Sequence, residues 1–284
     1  MFSARRVAAL AAASLALSAL LVPAPAGADA LRGVGDFDFD GFADLVVASP
    51  LEDLGGVPDA GVVRVFYGGP DGPGSGGVQT ITQNSGNLGS AAEPGDRFGA
   101  SLTVGDFLFG AGSELVIGVP FEDDDEIAGD RADSGMVHIL TGGTGALLNL
   151  NAAITLDPVN AQLGLAEVEA GDQWGAALAV GRVGRSGSDL AVGGPGRTSP
   201  WSTPARSTCC TSRAARWTAC AGCTRTSLVE GAAAAFDRFG AAVATGNFDG
   251  DSFDDLAVGA PADQPGSVDP GGEVNVFYGA APSR

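Results

Sequence analysis

Four aspartates lie within nine residues of the stretch GDFDFDGFADLVVASP, which runs from residue 35 to residue 50. They occupy alternate positions of a short loop that leads into an apolar run. Gly41 permits a tight turn inside this loop, and the next backbone carbonyl can act as a further oxygen donor. The donors at positions 1, 3, 5, 7 and 9 are Asp36, Asp38, Asp40, the Phe42 carbonyl and Asp44.

The same spacing recurs near the other end of the chain. Its donors are Asn247, Asp249, Asp251, the Phe253 carbonyl and Asp255. Alternating oxygen donors on a tight loop suit Ca²⁺, which accepts six to eight oxygens in a tolerant geometry, whereas Mg²⁺ demands a stricter octahedron. A solvated turn that uses Asp for turn chemistry alone is the alternative. Because crowded carboxylates repel one another and the spacing repeats, we predict Ca²⁺ in both loops.

The two loops between them have lost these donors. Leu108 and Gly110 replace two of them in the second repeat, and Arg182 and Arg185 lie in the third. We therefore expect no metal in either loop. The acidic run EDDDE at 122–126 favours a solvated loop over a binding site.

The acidic loops belong to a longer repeating pattern. Four apolar segments end in Pro, at 45–50, 115–120, 190–195 and 256–261. Three of them follow a Phe-Gly or Trp-Gly step, and three precede an alternating segment such as GVVRVFYG at 61–68. Each repeat therefore offers about four short strands joined by Gly-rich turns. Because such short strands cannot bury a face alone, neighbouring repeats are expected to stack as blades around a centre.

These motifs resemble the FG-GAP repeat family, whose units build the N-terminal β-propeller of integrin α subunits. The FG motif stands at Phe98-Gly99 and Phe239-Gly240, with Trp174-Gly175 as a variant, and the GAP motif at Gly259-Ala260-Pro261. The resemblance implies an all-β propeller, usually of about seven blades, in a secreted protein of bacterial type with Ca²⁺ in its hairpins. Since four repeats are visible, we expect a small or incomplete ring.

The N-terminus has the pattern of a secretory signal peptide. Arg5 and Arg6 precede an apolar run over 7–22, and small residues offer cleavage sites after Ala28 or Ala30. A membrane anchor is the alternative, but the run is short and is followed by prolines. We predict a signal peptide over 1–28 and a secreted or cell-surface protein without a membrane span in its mature form. The propeller then covers 29–284, with repeats at about 31–90, 91–165, 166–230 and 231–284.

Residues 197–227 depart from the repeat. All four cysteines lie there, and the segment stands where the third repeat should carry its alternating strand. A disulfide-stapled insertion is one interpretation, and a Cys₄ metal site fits the adjacent cysteines less well. A shifted reading frame explains more, because joining each codon's third base to the next two converts 201–211 into V-V-D-A-G-A-V-D-V-L-Y, with GC-rich choices where that base is free. This alternative sequence parallels V-P-D-A-G-V-V-R-V-F-Y at 57–67.

We therefore hypothesise that 197–227 is frame-shifted. Two consequences are expected: an irregular conformation for the segment, and a third blade that lacks its partner strand there.

Composition narrows the function. The net charge of −19 argues against nucleic acid or anionic membranes as partners. The single histidine, His138, is expected to face outward by the strand period and to be solvated rather than catalytic. The favoured function is a non-catalytic, Ca²⁺-binding propeller module for protein or glycan binding in adhesion. The alternative is an accessory repeat domain of a secreted hydrolase, or a hydrolase itself.

Overall fold

The structure is a computed structural model, and every regular element in its described part is a β-strand. None of the described residues forms a helix of the length and apolar character needed to cross a membrane. The described residues are 35–106, 113–123, 132–157, 170–183, 188–196, 206–213, 216–219, 237–262 and 271–279.

Consecutive strands pair antiparallel in four separate sheets, which we call blades 1 to 4 in chain order. Blade 1 contains β1 (Leu45–Ser49), β2 (Val62–Tyr67) and β3 (Gly77–Ile81). Blade 2 contains β4 (Ser101–Gly105), β5 (Glu114–Val119), β6 (Met136–Gly143) and β7 (Ala146–Leu156). Blade 3 contains β8 (Ala177–Gly181), β9 (Asp189–Gly194), β10 (Arg206–Arg213) and β11 (Arg216–Ala219). Blade 4 contains β12 (Ala242–Gly246), β13 (Asp255–Ala260) and β14 (Glu273–Phe277).

Equivalent parts of the repeats form equivalent strands. The apolar segments that end in Pro form β1, β5, β9 and β13, and the segments after the Phe-Gly or Trp-Gly step form β4, β8 and β12. The alternating segments form β2, β6 and β14. Strand β8 packs against both β4 and β12, so these three strands lie on the side of the blades where neighbours meet. The predicted all-β fold of propeller blades is confirmed.

Apolar clusters between successive blades hold the structure together. Val63, Val65 and Tyr67 of blade 1 share one cluster with Leu115 and Ile117 of blade 2. A second cluster joins blades 2 and 3, and a third joins blades 3 and 4. Since the inner blades have a neighbour on each side, both faces of their sheets are buried, and β5 and β9 are buried at every residue.

The Phe-Gly and Trp-Gly steps fix the distance between blades. Their aromatic rings at Phe98, Trp174 and Phe239 are at most 4% exposed. Gly99 has a φ of +86°, and a Cβ there would lie 2.7 Å from Val63 Cγ2 and 3.0 Å from the Ala48 Cβ of blade 1. Glycine therefore serves two needs at this position, a left-handed backbone and a close approach to the preceding blade.

The ring is not closed, which confirms the predicted incomplete ring. Blade 1 has no described strand equivalent to β4, and blade 4 has none equivalent to β7. Strand β12 of blade 4 packs against β8 and β9 of blade 3. The four blades thus form an open series with one outer face at each end.

The third blade differs from expectation. We expected residues 197–227 to be irregular and this blade to lack a partner strand, yet β10 pairs with β9 and β11 pairs with β10. Both of these expectations are wrong for the backbone of 206–213 and 216–219. The edge of β9 opposite β8 offers backbone N–H and C=O groups to a further strand. An antiparallel ladder bonds backbone groups and so accepts many different side chains.

Candidate metal-binding loops

The first acidic loop brings together three of the carboxylates that the sequence singled out. Ligand oxygens of Asp36, Asp38 and Asp40 lie within 4.8 Å of one another. The Asp36 carboxylate also accepts hydrogen bonds from the backbone N–H groups of Asp40 and Gly41, both at 3.1 Å. Asp40 in turn accepts from the N–H of Phe42 at 2.8 Å. The loop is therefore wound around its own carboxylates, with all three side chains on one side of the turn.

The two ends of this loop are joined by Asp44. Its carboxylate accepts one hydrogen bond from the N–H of Phe37 and another from the N–H of Gly68, each at 2.7 Å. Gly68 directly follows β2, so Asp44 ties the loop to the end of the neighbouring strand. The sequence marked Asp44 only as a metal donor. Its role as a strand tie was missed because the partner at residue 68 is remote in sequence.

Burial and the neighbouring carboxylates both raise pKa values in the first loop. Burial raises the pKa of Asp38, and the neighbouring Asp40 and Asp36 carboxylates raise it further. Burial raises the pKa of Asp44 to about 6, against the lowering effect of its two backbone hydrogen bonds. A bound cation would reverse the repulsive part of these shifts, because an opposite charge favours the ionised carboxylate.

The second loop repeats the hydrogen-bond pattern of the first. Asp251 accepts from the N–H of Phe253 at 2.6 Å, as Asp40 does from Phe42. Asp255 is fully buried and accepts from the N–H groups of Phe248 at 2.6 Å and Gly279 at 2.9 Å, as Asp44 does from Phe37 and Gly68. The predicted correspondence of the two loops therefore extends to their hydrogen bonds.

Position 1 is where the two loops differ. Asn247 donates from Nδ2 to the Asp251 carbonyl at 2.5 Å, and its Oδ1 accepts from the N–H of Gly250 at 2.6 Å. Asp249 accepts from the N–H of Asp251 at 3.0 Å. With an amide at position 1, this loop has one carboxylate fewer among its donor positions than the first, although Asp254 at position 8 gives both loops four carboxylates in total.

Both loops turn through a left-handed residue at position 4. This residue is Phe39 in the first loop, with φ of +63°, and Gly250 in the second, with φ of +82°. Gly41, the glycine expected to permit the turn, also has a positive φ, +90°. The left-handed phenylalanine was not predicted, because bulky residues seldom adopt this conformation.

The donor set fits a hard cation. An ionised carboxylate offers about four lone-pair positions, so the hydrogen bonds within each loop leave donor capacity on the Asp oxygens. Asp40, Asp249 and Asp251 are solvent-exposed, and the carboxylates come from a single turn, as in other oxygen-rich Ca²⁺ loops. Ca²⁺ would be held by Asp36, Asp38 and Asp40 in the first loop and by Asn247, Asp249 and Asp251 in the second. The Phe42 and Phe253 carbonyls and the carboxylates of Asp44 and Asp255 remain predicted ligands.

The two intervening loops are only partly described. Leu108, Gly110 and Arg185 lie outside the described residues. Arg182 contacts the second acidic loop: its N–H donates to Asp254 Oδ2 at 2.7 Å, and its guanidinium donates to the Ser252 carbonyl. A side chain of blade 3 therefore supports the loop of blade 4.

Two other predictions for polar residues are wrong. His138 is fully buried rather than solvated, which lowers its pKa to about 4, and its Nδ1 lies 3.1 Å from Thr155 Oγ1. Glu122, in the run expected to be a solvated loop, is 6% exposed and accepts a hydrogen bond from Gln83 Nε2 at 2.5 Å. Residues 124–126 of that run lie outside the described residues.

Comparison with protein families accounts for the two acidic loops together with their flanking strands. The FG-GAP repeat matches residues 33–66, which include the first loop, and residues 239–276, which include the second. Comparison with curated proteins finds no significant match. The two family matches, the Phe-Gly steps buried between blades and the open series of antiparallel sheets agree with one another: the chain contains FG-GAP repeats.

Proposed function

We propose that this protein is an exported, Ca²⁺-stabilised propeller module that binds a protein or glycan ligand in adhesion and carries out no catalysis. The cluster of Asp36, Asp38 and Asp40 is the observation that carries the calcium part. FG-GAP repeats build binding modules, which supports the assignment to recognition. The signal-like N-terminus supports export.

Calcium has a structural task in this proposal. Each acidic loop leads directly into a strand that packs against a neighbouring blade, β1 after the first and β13 after the second. Neutralising the crowded carboxylates would hold the loop in its wound form and so fix the strand that follows. A rigid scaffold of this kind leaves the connecting loops free to vary as a ligand-binding surface.

Thermal melting in the presence of calcium tests the metal sites. A ligand that binds only the native state raises its stability by mass action. Extracellular Ca²⁺ modules bind in the range of about 10⁻⁴–10⁻³ M, so we expect millimolar calcium to raise Tm and EGTA to reverse the rise. Asp40→Ala and Asp251→Ala should each remove part of the increase.

Asp71→Ala is the matched control, because Asp71 is an exposed aspartate in a turn outside both acidic loops. It should keep the full calcium response. An unchanged Tm in calcium for the parent protein, or an equal loss of response in all three variants, would contradict the calcium assignment.

A further inference from the structure

The outer face of blade 4 exposes apolar side chains whose counterparts in blade 1 are buried against blade 2. We call the side of a blade that faces the next blade its trailing face. In blade 1 the trailing face includes Phe37, Val63, Val65 and Tyr67, which are all fully buried. The equivalent residues of blade 4 are Phe248, Val274, Val276 and Tyr278, whose exposed fractions are 55%, 68%, 41% and 64%.

The first blade shows what covers this surface. Its trailing face packs against Leu115, Ile117 and Leu140 of blade 2. The acidic loop joins the same contact, since the Phe37 carbonyl accepts a hydrogen bond from the N–H of Gly143 at 2.8 Å. Because blade 4 repeats the residues V-x-V-F-Y-G of blade 1, its open trailing face fits the leading side of another blade.

The opposite end of the chain presents such a leading side. On the outer face of blade 1, Leu45 lies opposite Phe66, and Phe66 lies opposite Val78, which makes an apolar row across three strands. Leu45 is 42% exposed and Val78 is 53% exposed. Their row corresponds to Leu115 and Leu140 of blade 2, which pair in the same register and are fully buried against blade 1.

We propose that a second copy of this chain covers both surfaces. The trailing face of blade 4 in one copy packs against the leading face of blade 1 in the other, and the reverse contact forms at the same time. Two identical head-to-tail junctions related by a two-fold axis would close a ring of about eight blades, within the usual range for propellers. Each copy thereby covers the exposed end faces of the other.

This chain carries both surfaces of the junction, the trailing face of blade 4 and the leading face of blade 1. A second copy therefore fits better than an unrelated partner. The junction also has one defect, since residues 28–29 are Ala-Asp where the later repeats carry Phe-Gly or Trp-Gly. A single junction without that aromatic step should be weaker than the contacts inside the chain. Closure through two junctions at once compensates, because the second contact forms within an existing complex.

Sedimentation velocity of the full chain in millimolar calcium tests the proposal. We expect twice the monomer mass at protein concentrations of about 1–100 µM, the range of a moderate protein–protein affinity. Val274→Asp and Leu45→Asp should each give monomers, because each puts a charge into one half of the junction. Both residues are exposed in the single chain, so the circular dichroism spectrum should stay close to that of the parent, and Tm should fall only by the stabilisation that dimerisation adds.

Leu147→Asp is the matched control, since Leu147 is 51% exposed on blade 2, away from both end faces. It should remain dimeric. A parent protein that stays monomeric over the whole range, or end-face variants that dimerise as the control does, would overturn the proposal.

Mixing the variants tests the head-to-tail arrangement. Val274→Asp keeps an intact leading face and Leu45→Asp an intact trailing face. An equimolar mixture should therefore regain a 1:1 complex through one junction, at higher protein concentration than the parent dimer needs because closure through two junctions is lost. If identical faces met instead, at least one of the two single variants would still dimerise alone, and this arrangement would be refuted.

Discussion

Glu52 and Glu122 occupy the same place in their repeats, two residues after the Pro that ends the apolar segment, yet their environments are opposite. Glu52 is partly exposed and makes a two-point ion pair with Arg64, with oxygen–nitrogen distances of 2.5 and 2.7 Å, which lowers its pKa. Burial raises the pKa of Glu122 to about 8, and the Asp96 carboxylate raises it as well. The same side chain therefore lies in an environment that favours its ionised form in blade 1 and its neutral form in blade 2.

Replacing Glu122 by Gln should stabilise the protein at high pH. Because the folded-state pKa lies above the ordinary value of 4.5, the parent loses stability as pH rises from about 4.5 to about 8. Glutamine mimics the protonated acid and can still accept the hydrogen bond from Gln83. We expect Glu122→Gln to be more stable than the parent by about 1–3 kcal/mol at pH 9 and nearly equal at pH 5, in urea unfolding.

Glu52→Gln provides the control for this effect. It removes an exposed ion pair, so it should change stability by less than about 1 kcal/mol, and in the destabilising direction at pH 7. A Glu122→Gln variant whose stability relative to the parent does not change between pH 5 and pH 9 would contradict the assignment of a neutral Glu122.

The environment of individual polar residues was the least predictable part of the molecule. The strand period places His138 on one face of β6 and Val137 and Ile139 on the other, and we expected the first face to meet solvent. In a stacked blade both faces meet neighbouring sheets, so alternation separates two buried faces instead of core from solvent. By contrast, the grouping of Asp36, Asp38 and Asp40 was predictable, because residues on one tight turn are close whatever the rest of the fold does.

At the scale of strands and sheets, the close contact between neighbouring blades requires glycine at positions where a side chain would clash with the preceding blade. Gly99 follows the buried Phe98 and approaches blade 1. Gly95, four residues earlier, has a similar φ of +97°, but a Cβ at that position would meet nothing within 4 Å. The two positions separate the cost of a left-handed backbone from the cost of a clash between blades.

Alanine at these two positions should therefore have unequal effects. Gly95→Ala should cost about 1 kcal/mol for the left-handed backbone alone. Gly99→Ala adds the clash with Val63 and Ala48, and we expect a total of about 2–4 kcal/mol from overpacking. Chemical denaturation of both variants measures the difference. Equal losses would show that blade 2 can move away from blade 1 freely, contrary to a tight contact at Gly99.

Strand positions were predictable because the repeat supplies four versions of the same signal. The apolar segments, the segments after the aromatic-Gly step and the alternating segments all form strands where the sequence indicated them. The open ring followed from the count of repeats. Among the described residues, blades 1 and 4 lack opposite members: blade 1 lacks the strand equivalent to β4, and blade 4 lacks the strand equivalent to β7.

At the scale of the whole molecule, residues 197–227 include two strands of the third blade, β10 and β11. The backbone of β10 pairs Arg206 with Gly194, as β2 pairs Val62 with Ser49. The shifted-frame sequence for 201–211 places its strand in the same register, because residue 206 aligns with Val62 in both cases. The frame-shift hypothesis therefore no longer predicts a missing strand; it predicts a strand built from the wrong side chains.

Restoring the shifted-frame residues should then stabilise the protein. A variant that carries V-V-D-A-G-A-V-D-V-L-Y at 201–211 places the pattern of β2 beside β9. It substitutes apolar or aromatic side chains for Ser207, Cys209, Cys210 and Thr211. Added apolar burial of about 100 Å² would contribute about 2–3 kcal/mol, and for a chain of this size each kcal/mol corresponds to roughly 2–4 °C in Tm. We expect a rise of about 4–12 °C by calorimetry. A control with the same eleven residues in an order that destroys the alternation should melt no higher than the parent. If the restored and reordered variants have the same Tm, the present residues of β10 stabilise the blade as well as the alternative residues do, and the hypothesis fails. Sequencing the locus is an independent test, and an unbroken reading frame would contradict the hypothesis.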